Sequence, residues 1–555
     1  MGLNAGDAGL GGKQDTREEV MSALNGIAAG MPGPSRRAFL AMAAGGLALP
    51  LTGGRVVAAS ADTLVVASGA DAVTLDPGVS FDGQSPLLWR NVYEALIDYR
   101  DDTLEFVPQL AESFDVSDDK KTYTFKIRRN VKFTDGEILD AAAVKFNIER
   151  QTKVGQGIAF ALAAIESIET PDDFTVVLRL GAPSDGFLSA FASLYTVKMI
   201  SPKAIRDNEK DGDHAQAWLR DNMVGTGPYA MRSYKQSQQA VLERNPDYWR
   251  GWKDDHFDRV IVKYVHEAST ERLLLEQGDV DVALFLPDDV VESLDGKPGI
   301  VVTDEPSFNV YYLCFNCKNG PTADPRVRRA LAQAFNYDDY INNALRGKAR
   351  QAHGPIPSGF VGHAKDTPAY SFNLEKAKQL LAEAGYPNGG FKLKYTYETG
   401  YFWKRPLGEF MQANMKELGV DVEIQELSPS AWAGLLSNPD TADHCFGLVW
   451  WPTLATPYDY MWSLFHTAAQ GNAGYNWGYY SNPEVDRLLD EGAAEPDEAR
   501  RLDLYAKAQM LIVEDSPALF IYEKNYRLPM SDKISGFVFN GMRTETLDFY
   551  SLRRA

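Results

Sequence analysis

The chain has 555 residues, more than one hydrophobic core holds, so two or three domains are expected. Hydrophobic residues make up 45 % and charged residues 24 %, which excludes a disordered or collagen-like chain. The formal charge of -20 excludes a role that depends on attraction to nucleic acid or anionic lipid.

Residues 1–61 carry Lys13, Arg17, Arg36, Arg37 and Arg55 against Asp7, Asp15, Glu18 and Glu19, +5 - 4 = +1, so the remainder of the chain is -21. Ser35-Arg36-Arg37-Ala38-Phe39-Leu40 has the pattern of a twin-arginine export signal. A weakly apolar stretch, Ala41 to Leu51, and the small-residue site Ala59-Ser60-Ala61 follow. The apolar run is too short to span a bilayer, which needs about 20 residues, so a cleaved signal peptide is expected. The first cysteine is Cys314, far from any cleavage site, so a free, unlipidated periplasmic protein is expected.

Asp62 to Ala67 reads as a strand, and Thr74-Leu75-Asp76-Pro77 as a turn. Ser85 to Ile97 reads as a helix with Ser85 as N-cap and Pro86 at its first position. Tyr123 to Ile127 alternates as a strand, and Val131 to Gly136 as a second one ending in an Asp-Gly turn. Asp140 caps a helix running to Arg150. Residues 168–180 and Val260 to Val265 read as strands.

The stretch Val224 to Trp249 opens on Gly225-Thr226-Gly227-Pro228 and continues as two extended runs around the polar turn Lys235–Gln239, a β-hairpin. Gly225-x-Gly227-x-x-Ala230 also fits the loose dinucleotide pattern, but a strand and Pro228 follow where a helix should open. After residue 312, helices at 326–346 and 373–385 alternate with strands at 391–397 and 420–426, an α/β pattern. Ile534 to Phe549 returns as strand and loop.

Three cysteines make no disulfide framework; Cys314 and Cys317 have redox spacing, but on a strand their side chains point to opposite faces. There is no GxSxG, no phosphate-cradling GxxxxGK[ST] and no HExxH, and His266-Glu267 lacks the second histidine of a zinc site. His353 and His363 share a loop region at a spacing that carries little metal signal. No enzyme, metal or cofactor is expected from these motifs.

The segment LAESFDVSDDKKTYTFKIRRNVKFTDGEILDAAAVKFNIER, from Leu110 to Arg150, resembles the signature of the family 5 extracellular solute-binding proteins, receptors of oligopeptide, dipeptide and nickel ABC importers. VGTGPY…VLERNPDYW at 224–249 is similar to the family's hairpin. Gln277-Gly278-Asp279-Val280-Asp281, the run Asp324 to Leu331, Asn373 to Tyr386 and Tyr480 to Asp486 also match, in order, between about residues 62 and 552.

The resemblance implies a two-lobed periplasmic-binding-protein fold of the α/β class, with an extra small domain and a hinged cleft. A discontinuous central domain would comprise 62–97, 223–311 and 526–555, a small lobe 98–222, and a third lobe 312–525. It implies a monomer that takes a small polar solute, peptide-like or a sugar, and delivers it to an ABC importer's permease and ATPase complex. A secreted hydrolase, or a sensing or chaperone protein on the same fold, is the alternative of another class.

The family's binding stretch would include Leu448 to Met461. In peptide-binding members it reads roughly W-x-x-D-x-x-x-P, and that Asp holds the ligand's α-ammonium group. Here Trp450 and Pro457 keep the frame, Thr453 replaces the Asp, and Asp459 could substitute only with a rearranged loop. Trp450, Trp451 and Trp403 are expected to contact ligand, with Tyr401, Tyr93 and Asn316 as further candidates. Loss of the aspartate is expected to make free α-amino peptides poorer ligands and to favour ring-bearing solutes such as sugars.

Overall fold

Three larger sheets organise the computed structural model, which describes residues 62–555 apart from Phe81 and Glu545. Arg36, Arg37 and the rest of the expected signal peptide lie outside the described residues.

The first sheet has seven strands and is mixed. At its centre Thr63–Ser68 runs parallel to Arg259–Tyr264 on one side and to Val282–Leu284 on the other. Its Leu64 and Val66 enter one core, and Val65 and Ala67 enter another with Leu275, Val280 and Leu294. A strand covered on both faces needs an unbroken apolar run, and Leu64-Val65-Val66-Ala67 supplies it. The hairpin Tyr229–Lys235 and Gln239–Arg244 closes one edge, as its polar turn predicts.

The second sheet, six strands between residues 305 and 526, is centred on Glu305–Phe315. Lys392–Glu398 and Asp421–Leu427 pair in parallel on one side of it. The third sheet is antiparallel and takes in Ala111–Val116, Thr122–Ile127, Thr175–Leu180 and Ile165–Asp172.

The chain passes from the first sheet to the second after Val302 and returns before Pro529, and the two passages are neighbours. Val302 lies opposite Pro529 and Glu305 opposite Tyr526. Between these pairs the Thr303 N–H donates to the Leu528 carbonyl at 3.1 Å, and the Leu528 N–H donates to Thr303 Oγ1 at 2.9 Å.

Several local expectations need correction. The helix after Ser85 covers only Pro86–Val92. Ser85 Oγ accepts from Val73 and Thr74 N–H instead of capping the helix. Ala95 and Leu96 spend their carbonyls on Leu110 and Ala111, so the chain leaves as the strand Ile97–Tyr99. The glycine turn completes this helix end: Gly227 N–H donates to the Val92 carbonyl at 3.0 Å. A Cβ on Gly225 would lie 2.1 Å from that oxygen, which is why a side chain is excluded there. Val131 to Gly136 forms a single bridge, Lys132 with Ile138, around the Gly136 turn, and no strand. The expected helix at 326–346 stops at Ala334 and resumes as short turns.

Other readings hold. Asp140 Oδ1 accepts from Ala143 N–H and caps Ala141–Val154. That helix carries Arg150, which forms a buried bidentate pair with Asp76 at 2.7 and 3.1 Å and so ties the 74–77 turn to the third sheet's neighbourhood. All three cysteines are free thiols, and burial raises each one above its usual range.

Candidate functional site

Lys392–Glu398 and Cys445–Trp450 run parallel in the second sheet, with Tyr395 opposite Cys445. Their carboxyl ends, at Glu398 and Trp450, open on a cavity of about 150 Å³. Crevices at the carboxyl ends of parallel strands are common ligand positions in α/β sheets, because the loops that leave the strands diverge there.

The walls are aromatic. Trp450 meets Tyr475 edge to face at 5.2 Å, Tyr475 meets Trp477 at 5.4 Å, and Trp477 meets Trp432 at 5.3 Å. Trp432 is fixed by its helix, Pro429–Leu436, and by donation from its indole N–H to the Thr396 carbonyl. Tyr401 completes the wall at the mouth, where it is 44 % exposed.

Two charged side chains reach this cavity, and they are paired. Lys404 Nζ lies 2.6 Å from both oxygens of Glu398, with the side chains 2 % and 9 % exposed. The ammonium also stands 4.5 Å from the Trp432 ring centre and 4.6 Å from that of Tyr401, the geometry of a cation–π contact. Burial lowers the Lys404 pKa, and the Glu398 carboxylate works against that shift. Lys404 opens the helix Lys404–Lys416, where the helix dipole also disfavours a cation, so Glu398 is the group that holds the charge in place.

The expected site residues separate into those that line this cavity and those that do not. Trp450, Trp451, Thr453 and Tyr401 line it. Trp451 also reaches across to residue 195, its indole N–H donating to the Tyr195 hydroxyl at 3.2 Å. Asp459 is not among the lining residues: its Oδ2 accepts from the N–H groups of Thr453 at 2.7 Å and Leu454 at 3.3 Å. Burial pushes Asp459 up to about 7, against the pull of those two donors and of the Trp450 side chain. It shapes the 453–454 turn and leaves Thr453 facing the cavity.

Trp403 lies behind the wall, edge to face with Tyr311 at 4.9 Å, over Gly447. Tyr93 is 1 % exposed, sits under the Gly225 turn and is not among the residues that line the cavity. Asn316 is a loop organiser: its amide donates to the Pro439 and Ala442 carbonyls, and its oxygen accepts from Lys318 and Asn319 N–H. Among the described residues no group of three His, Cys, Asp or Glu side chains is placed to hold a metal ion. His363 Nδ1 is engaged with the Ile356 carbonyl.

Sequence reasoning missed Glu398, Lys404, Trp432, Tyr475 and Trp477. Glu398 and Lys404 flank the aromatic run 401–403 in the sequence, but their spacing does not mark the pair that the strand end and the helix start form.

The polypeptide also touches itself across the gap between the third and second sheets. The Asp185 carboxylate receives the Tyr505 hydroxyl at 2.9 Å and the Thr456 hydroxyl, and pairs with Arg501 Nε at 3.3 Å. Ser189 Oγ accepts from Ala455 N–H at 3.2 Å.

Comparison with known proteins places this architecture. A family model described as bacterial extracellular solute-binding proteins, family 5 Middle, matches residues 105–472. A probable D,D-dipeptide-binding periplasmic protein, DdpA of Escherichia coli K12, is 32 % identical over 497 residues, 89 % of this chain and 94 % of that protein. A glutathione-binding protein, GsiB of Pectobacterium atrosepticum, is 30 % identical, covering 86 % of this chain and 92 % of that protein. Among solved structures, the periplasmic binding protein DppA from Helicobacter pylori in complex with the peptide STSA superposes with a TM-score of 0.77 at 27 % identity, covering 89 % of this chain and 98 % of that one.

Proposed function

We propose that this chain, which belongs to the family 5 bacterial extracellular solute-binding proteins, is the receptor of an ABC importer for a peptide or peptide-like solute. The solute is captured between lobes and passed to a membrane permease driven by its ATPases. The observation that carries this reading is the aromatic cavity at the carboxyl ends of two parallel strands, which has a paired lysine and glutamate in its wall. An apolar wall with few convergent polar groups is the usual build of a small-molecule site. The relatives described as binding a D,D-dipeptide and glutathione support the peptide-like class.

The three sheets support the division into a central domain of 62–97, 223–311 and 526–555, a small lobe of 98–222 and a third lobe of 312–525. The paired passages at 302–305 and 526–529 are the hinge, since they are the strands that join the first sheet to the second. The protein acts as a monomer without catalytic activity, consistent with the absence of a nucleophile–base motif from its sequence. Export by the twin-arginine route through Arg36 and Arg37 delivers it to the periplasm. Among the described residues no helix is long and apolar enough to cross a membrane.

Native mass spectrometry of the protein purified from its own periplasm tests the reading. A bound species with the mass of a di- to pentapeptide or a peptide conjugate is expected. An oligosaccharide mass in its place would move the ligand class to ring-bearing sugars.

A further inference from the structure

We propose that Glu398, and no residue of the 450–459 stretch, is the carboxylate that takes the ligand's ammonium group, while Lys404 takes the ligand's carboxylate. The receptor is thereby built for a zwitterionic head group. This deepens the peptide-like reading above and rests on it.

Thr453 faces the cavity with a hydroxyl and no charge. Asp459, the nearest carboxylate in sequence, is buried, does not line the cavity and holds two backbone N–H groups through its Oδ2, so freeing it would leave those donors without partners. Among the described residues that line the cavity, Glu398 and Lys404 are the charged ones. They come from different elements, the end of the Lys392–Glu398 strand and the start of the Lys404–Lys416 helix, and meet only at this wall.

Their pairing sets the charge rule. One ammonium bound to both carboxylate oxygens leaves a third Nζ–H to donate and leaves the outer lone pairs of the carboxylate able to accept. The pair as a whole is neutral. A ligand with a single charge would bring an unbalanced charge into an aromatic enclosure, where burial of an unpaired ion is costly. A zwitterion adds none: its ammonium bonds Glu398, its carboxylate bonds Lys404, and four alternating charges replace two. The rings of Trp432, Trp450 and Tyr475 then cover the apolar body of the ligand. On this reading the amino group stays important despite Thr453, contrary to the sequence expectation.

Calorimetry on the exported full-length mature protein tests it, using dipeptides with one aromatic side chain in free, N-acetylated and C-amidated forms. The wild type is expected to bind the free form at least tenfold more tightly than either blocked form. Glu398→Gln should bind the free and N-acetylated forms alike, and Lys404→Met should bind the free and amidated forms alike. The ligand-side comparison on the wild type decides the matter should either variant not fold. Free and N-acetylated dipeptides binding within twofold of each other would overturn the assignment and leave the receptor reading intact. Failure of every form to bind would overturn the peptide-like reading, and the assignment with it.

Discussion

Replacing Asp185 with alanine should loosen the contact between the proposed small and third lobes. Its carboxylate is 11 % exposed and holds three side chains of the other lobe, Thr456, Arg501 and Tyr505, with Arg501 itself 19 % exposed. A hydrogen bond to an ionised group contributes about 1.5–3 kcal/mol, and bonds that share one acceptor do not add in full. Once the lobes part, water takes over part of each lost bond. A net loss of about 3 kcal/mol follows, which lowers the ratio of touching to parted lobes by roughly a hundredfold. A ligand that binds only with the lobes together loses apparent affinity in proportion to the fraction in that state. Small-angle scattering of the ligand-free protein should show a larger radius of gyration for the variant, and calorimetry a weaker complex. Asp185→Asn keeps hydrogen-bonding capacity without the charge and should fall between the two. An unchanged scattering profile together with an affinity within twofold of wild type would refute the argument.

Gly225→Ala forces a Cβ to within 2.1 Å of the Val92 carbonyl, a backbone atom that cannot step aside, so urea unfolding should show a loss of about 1–3 kcal/mol or more. A loss below about 0.5 kcal/mol would mean the helix end is not as tightly held as the geometry requires. Glu271 is 1 % exposed, and burial raises its pKa from 4.5 to about 8. The unfolded chain releases that proton near 4.5 and the folded one near 8, so in this window the folded state binds more protons and its stability falls as pH rises, by at most about 1.4 kcal/mol per pH unit. Glu271→Gln should flatten the stability profile between those limits, and an unaltered slope counts against a buried acid there. Changing both Arg36 and Arg37 to lysine should leave precursor in the cytoplasm on fractionation; normal export of that variant would exclude the twin-arginine route.

The elements most legible in the sequence are those whose periodicity agrees with their packing. Leu64 to Ala67 is apolar throughout because the strand is covered on both faces, and the 229–244 hairpin carries its own turn. The expected helix at Ser85 runs past the observed one because Val92, Ala95 and Leu96 keep a helical spacing while Gly227, far away in the chain, supplies the N–H that takes the Val92 carbonyl. Nothing local to 85–97 encodes that stop. At the candidate site, Trp450, Trp451 and Thr453, which line the cavity, are reached in the sequence through the resemblance to the family's binding stretch. Glu398 and Lys404 are not, since their meaning lies in a pair formed by a strand end and a helix start around a loop. Trp432, Tyr475 and Trp477 come from two further segments, and only the folded sheet gathers them.

The two passages between the first and second sheets have a mechanical consequence. Hydrogen-bonded side by side from Val302–Pro529 to Glu305–Tyr526, they act as a leaf spring and not as a pair of independent strings. Sliding one strand past the other would break the bonds at Thr303 and Leu528, so in-plane shear is stiff, whereas flexing across the ribbon leaves those bonds made. A motion of the proposed lobes about these passages would thereby follow a single arc. A residue inserted into one passage alone would throw the ribbon out of register and skew that arc, while one inserted into each would lengthen the spring and keep its direction.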